Sequence, residues 1–118
     1  MKKFLALYLG SKKGAAAMKW NSHSEEKRKD LERAGMTEWM NWGTKNSNTV
    51  IDRGHPVGTT KRINPSGISS VTNEVAAYTI VQAESHEAAA SLFLNYPHFM
   101  LFPGDSVEVM ECLPIPGM

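Results

Sequence analysis

Val75 to Leu113 constrains the fold more tightly than any other stretch of this chain. It reads strand, helix, strand within the span of one βαβ-type unit. Val75–Ala83 (VAAYTIVQA) is rich in residues that suit a pleated surface. Ser85–Tyr96 (SHEAAASLFLNY) is helical in composition, and Pro97 predicts its end. Ser85 is the expected N-cap. Ala89, Leu92, Phe93 and Tyr96 line one face at helical spacing. Ser106–Leu113 (SVEVMECL) then alternates as a strand does.

The first half has a matching order. Lys3–Leu9 predicts a strand whose two rows, Phe4/Ala6/Tyr8 and Leu5/Leu7/Leu9, are both apolar. A strand of that kind is central and covered on both sides. Gly10–Lys19 reads as a loop. Ser22 or Ser24 can cap the helix that follows, and Ser22 with Glu25 has capping-box spacing. Glu25 and Glu26 stand at the positive end of that helix, the favourable sign. Met36, Trp39, Met40 and Gly43 follow helical spacing, with Leu31, Gly35 and Trp42 widening the stripe. Gly35, about 1 kcal/mol worse than alanine inside a helix, predicts a bend or break.

Asn48–Gly54 is a second strand, and His55-Pro56-Val57-Gly58 turns the chain. Asn64-Pro65-Ser66-Gly67 is a strong turn signal within the polar stretch 59–73. Thr60–Ile63 and Ile68–Thr72 can pair around it. The prolines of the tail 114–118 cannot continue a sheet. The whole chain, 1–118, reads as a single α+β domain. It has ferredoxin-like βαββαβ order, an antiparallel sheet and an inserted hairpin. Both helices then cover one sheet face, and the apolar opposite face calls for a partner. A homodimer with the two sheets face to face is the expectation.

Composition excludes several classes. With 118 residues and a net charge of +1, the chain carries no field that favours nucleic acid or an anionic membrane. Short basic runs such as Lys27-Arg28-Lys29 read as solvated faces. One cysteine, Cys112, allows no intrachain disulfide and suits a reducing compartment. In its strand-like run it reads as a small buried hydrophobe. Lys2-Lys3 followed by FLALYL resembles a leader peptide, but Lys12-Lys13 interrupt it before the small residues. No apolar run approaches the roughly 20 residues that span a bilayer. The expected place is the cytoplasm.

The opening strand, the helix with Gly35-Met36 and Trp39–Trp42, and the Gly54–Gly58 turn resemble the YCII-related proteins. So, above all, does AYTIVQAESHEAAASLFLNYPHF followed by VEVMECLPIPG. The resemblance implies the dimeric α+β barrel fold, a homodimer and a cleft on each protomer. It also implies small-molecule enzymology that uses, in some members, a histidine–aspartate pair.

Three residues are candidates for chemistry. His98, directly after Pro97, can face a cleft or serve as a hydrogen-bonding spacer. Asp52 is an acidic residue in a strand, where aspartate is depleted. It is a possible general base if it points into a cavity; otherwise it is an edge-strand aspartate or a turn cap. His55 can complete a dyad with Asp52 or simply occupy the turn. Tyr78, Tyr8 and Glu108 are expected to line the inter-sheet cavity through strand alternation. The alternatives are core or interface packing for the tyrosines and solvent exposure for Glu108. Trp39 and Trp42 can bound a ligand pocket or pack helix on sheet. His23 and His86 read as surface positions. Neither metal-ligand spacing nor a phosphate-cradling glycine loop occurs, so no metal and no cofactor is expected.

The leading expectation is a homodimer that binds a small organic molecule in a cleft and performs cofactor-free acid–base chemistry on it. The alternative is a non-catalytic dimerisation or ligand-sensing module. Asp52 meeting His55 or His98 in a closed cavity favours the first. An open groove lined by Tyr8, Tyr78, Met110 and Trp39 favours the second.

Overall fold

Alternation separates Phe4, Ala6 and Tyr8 from Leu5, Leu7 and Leu9. In the computed structural model, which describes residues 1–117, the first row is buried and the second half-buried. In chain order the elements are β1 (Lys2–Leu9), α1 (Ala15–Ser22), α2 (Glu25–Lys45), β2 (Val50–Asp52), β3 (Thr60–Asn64), β4 (Gly67–Val71), β5 (Val75–Ala83), α3 (His86–Ser91), α4 (Pro97–Met100) and β6 (Ser106–Glu111). Four strands form an antiparallel sheet in the order β2-β5-β1-β6, and β3 pairs with β4 alone. The architecture is mixed α+β.

Register decides what each face carries. Tyr8 lies opposite Ala77 on β5 and Val107 on β6. Leu7 lies between Tyr78 and Glu108, and Leu5 between Ile80 and Met110. Thus Phe4, Ala6, Tyr8, Ala77 and Val81 join Trp39, Ala89, Phe93 and Tyr96 in the core. The opposite face presents Leu5, Leu7, Tyr78 and Ile80, all half-buried, with Met110 more exposed.

Helix α2 runs unbroken through Gly35. The glycine admits the ring of Phe102, since a Cβ there would lie 2.4 Å from Phe102 Cζ. Its buried row is Gly35, Trp39 and Gly43, four residues apart. Met36 and Met40, expected in the stripe, are substantially exposed. Ser24 rather than Ser22 caps this helix, accepting the Lys27 N–H at 3.1 Å.

Gly10–Lys19 is not a loop throughout, because Ala15–Ser22 forms α1. The second long helix is also shorter than expected. Ser85 caps it by accepting the Ala88 N–H at 3.1 Å, but α3 ends at Ser91. The Trp42 indole N–H donates to the Leu92 carbonyl at 3.1 Å, satisfying a backbone group freed at that end. Asn95 then takes a left-handed conformation (φ 55°). Pro97 opens α4, using the first helical position where a missing N–H costs nothing. Cys112 is exposed, because the edge strand β6 ends one residue before it.

Candidate functional site

A chain of buried hydroxyls runs between sheet and helices at the site. Tyr8, Thr79 and Tyr96 are all buried. The Thr79 hydroxyl donates to the Arg53 carbonyl at 2.8 Å. That use of its only proton fixes the direction of the rest. Tyr8 therefore donates to Thr79 Oγ1, and Tyr96 donates to Tyr8 across 2.8 Å. Burial pushes both phenols above their ordinary pKa, so neither ionises near neutrality. The buried Trp39 indole N–H lies near both hydroxyls and draws their pKa values slightly down, but it is aligned for a hydrogen bond with neither.

His98 stands beside this chain, its ring 5.6 Å from that of Tyr8. Its other face lies on Gly104, where a Cβ would come 2.3 Å from the imidazole. The partner of Nε2 is the Leu9 carbonyl at 2.9 Å, which can only accept. Nε2 therefore carries the proton, and Nδ1 is the nitrogen left to take one. Burial lowers the pKa of the imidazole. Backbone contacts with Leu9 and Ser106 and the charge of Asp105 oppose that shift without cancelling it. His98 is thus neutral at pH 7 and ties α4 to the end of β1.

Against this chain lies a cavity of about 180 Å³. Tyr8, Trp39, Tyr96, His98, Met36 and Phe102 enclose it, with Pro56, Pro97 and Pro103 at its rim and Ala76 and Ala77 on the sheet side. Its walls are almost wholly carbon. A second, more open groove of about 380 Å³ abuts it and shares Met36, Trp39 and Pro56. Asp52, Arg53, Gly54 and His55 line this outer groove.

The candidate residues are therefore divided. His98, Tyr8 and Trp39 meet in the apolar cavity, while Asp52 and His55 meet in the outer groove. Asp52 is exposed and closes a turn by accepting the Gly54 N–H at 2.9 Å. His55 is exposed, its ring 6.4 Å from that of Tyr78. Gly54 is held at φ +77°, and a Cβ there would lie 1.7 Å from the Tyr78 carbonyl oxygen. Tyr78 and Glu108 occupy the open sheet face. Tyr8 faces the helices, so these three side chains do not share one cavity. Alternation, used to group them, separates them once the register is known. Met110 also lies on the open face, away from Tyr8 and Trp39.

Three residues of the site were not among the sequence candidates. Tyr96 was legible as one face of a helix, not as a hydroxyl donor. Thr79 is the one polar member of the Ala77, Thr79, Val81, Ala83 row. A polar side chain in a small apolar row is a usable clue to a buried hydrogen bond. Arg53 follows β2, and only its tertiary neighbours distinguish it. Among the described residues, no group of three or more His, Cys, Asp or Glu side chains is placed to hold a metal ion. No described helix is long and apolar enough to cross a membrane.

No family model and no curated protein matches the chain. Among solved structures it is similar to 5-chloro-2-hydroxyhydroquinone dehydrochlorinase from Burkholderia phenoliruptrix AC1100 in complex with 2,5-dihydroxybenzoquinone. The identity is 17%, the match covers 91% of this chain and 89% of that one, and the TM-score is 0.48. The likeness is one of backbone course, too slight to transfer a ligand or a residue's role.

Proposed function

We propose that this chain is a YCII-like protomer of a dimeric α+β barrel and binds a small, mostly apolar molecule between sheet and helices. The carbon-walled cavity of about 180 Å³ carries the reading. An engineered cavity of roughly 150 Å³ takes up benzene, so a single ring fits this volume. The strand order β2-β5-β1-β6 supports a ferredoxin-like protomer. The row Leu5, Leu7, Ile80 and Met110 supports a sheet-to-sheet dimer.

Binding without turnover suits the inner cavity best. Its phenols resist ionisation, and its imidazole is engaged through Nε2. Saturation-transfer NMR with small ring compounds such as toluene and benzyl alcohol tests the reading. Wild-type protein binds them, and Met36→Trp, which fills the mouth from an exposed helix position, does not. Absence of binding to wild-type protein, or equal binding to the variant, overturns it.

A proton-transfer enzyme is the second reading, favoured by Asp52 and His55 lining one groove against the cavity. It expects deuterium exchange from solvent into a carbon acid bound there, abolished in Asp52→Asn and His55→Gln. Exchange that persists in both variants removes these residues from any such role.

A further inference from the structure

We propose that the outer groove receives a carboxylate on Arg53, making the ligand a small monocarboxylic acid with an apolar body. The inference rests on the reading of the inner cavity as a binding site.

Arg53 is held from two sides. Its carbonyl accepts the Thr79 hydroxyl, which ties its backbone to the sheet. Its guanidinium packs against α2 at Gly43, where a Cβ would come 2.4 Å from Nε and 3.1 Å from Cζ and Nη2. Nε is buried there without a hydrogen-bond partner. The polar contact of the guanidinium is from Nη1 to Met40 Sδ at 3.3 Å. A thioether is a weak acceptor, whereas guanidinium is permanently charged and shaped for a carboxylate. Among the described residues Arg53 makes no ion pair. A cation whose side-chain partner among the described residues is a sulfur therefore lines an open groove of about 380 Å³.

The neighbouring charges narrow the ligand. Asp52 lines the same groove, but one of its oxygens is engaged by the Gly54 N–H. Its charge opposes a second anionic group, which favours one carboxylate over two. His55 adds a second polar group at the same wall. Met36, Trp39 and Pro56 belong to both groove and cavity, so an acid held on Arg53 places its apolar end inward.

Isothermal titration of the full chain at low salt, with phenylacetate and its neutral isostere phenylacetamide, tests this. The acid is expected to bind at least about tenfold tighter, the least that a hydrogen bond to a charged group supplies. Arg53→Gln removes that preference. Arg53→Lys keeps part of it, because a point charge replaces a fork. Gly43→Ala, which displaces the guanidinium, also reduces it. Thermal melts establish that each variant is folded. Equal affinity of wild-type protein for acid and amide overturns the carboxylate inference and leaves the cavity reading standing. So does an unchanged preference in folded Arg53→Gln. If neither compound binds and toluene does, the carboxylate inference alone falls. If none of the three binds, both readings fall.

Discussion

The hydroxyl chain makes an unequal prediction for three conservative substitutions. Its polarity runs Tyr96 to Tyr8 to Thr79 to the Arg53 carbonyl, with three protons and one terminal backbone acceptor. Thr79→Val removes the middle acceptor and the donor to Arg53 while nearly keeping the volume. The Arg53 carbonyl loses its side-chain donor. The two phenol protons are left with one phenol–phenol bond between them, so one stays unsatisfied however the rings turn. Each buried orphan costs about 1–3 kcal/mol, so the pair amounts to about 2–6 kcal/mol. Tyr8→Phe removes two hydrogen bonds at about 0.5–1.5 kcal/mol each, about 1–3 kcal/mol together. Tyr96→Phe strands no donor, because Tyr8 still donates to Thr79. Its cost is that of one ordinary hydrogen bond, about 0.5–1.5 kcal/mol.

Urea unfolding of the three variants gives the order directly, since midpoints move while slopes stay fixed. The expected ranking is Thr79→Val, then Tyr8→Phe, then Tyr96→Phe. Domains of this size have only about 5–15 kcal/mol in all, so the first variant is readily distinguished from wild type. If Tyr96→Phe costs as much as Thr79→Val, the polarity argument is wrong. A reversed chain, with Thr79 donating to Tyr8, would then be the arrangement to consider.

Three further outcomes are expected. Burial lowers the pKa of His98 in the native state, while the unfolded chain binds that proton near the ordinary value of about 6.5. Its contribution is therefore whole above that pH and is lost as pH falls toward the native pKa. Unfolding curves from pH 7 downward should be steeper for wild type than for His98→Gln, and parallel curves would refute the assignment. Gly54→Ala should cost about 2–5 kcal/mol, adding a positive-φ penalty of about 1–2 to an overpacking cost of about 1–3. A loss too small to measure in denaturant would mean that the turn gives way. The proposed dimer predicts that light scattering gives twice the chain mass at micromolar concentration. Leu7→Lys, which puts a charge in the open sheet face, should halve it without changing the helical circular dichroism; a monomeric wild type refutes the dimer.

Much of the scaffold was legible in the sequence because its signals are local. The apolar rows of Phe4–Leu9, the turn at Asn64–Gly67 and the Ser85 cap each act within a few residues. Helix α1 was hidden because its alanines stand beside Gly14 and two lysines, and Ala17 alone is buried. The short α3 was hidden for the opposite reason. Leu92, Phe93 and Tyr96 keep helical spacing, yet the last two reach the core after the helix has ended. The site was legible only in part. Tyr8 and Tyr78 each sit in a strand whose two rows are largely apolar, and no local feature says which rows of β1 and β5 share a side. Pairing settles that, and pairing is a property of the whole sheet.

The same parity separates the two faces of the sheet. Tyr8 and Ala77 face the helices and line the cavity, and Thr79 on the same face anchors the hydroxyl chain, while their immediate neighbours Leu7, Tyr78 and Ile80 face outward. One residue separates the members of each set along the strand, so neither face can slip without exchanging its side chains with the other. The Gly54 turn links the two sides. It rests on the Tyr78 carbonyl, leads into Pro56 on the cavity wall, and carries His55 beside the outward Tyr78 ring. A partner sheet covering Tyr78 would restrain that turn, and with it the wall that Pro56 gives to both cavity and groove.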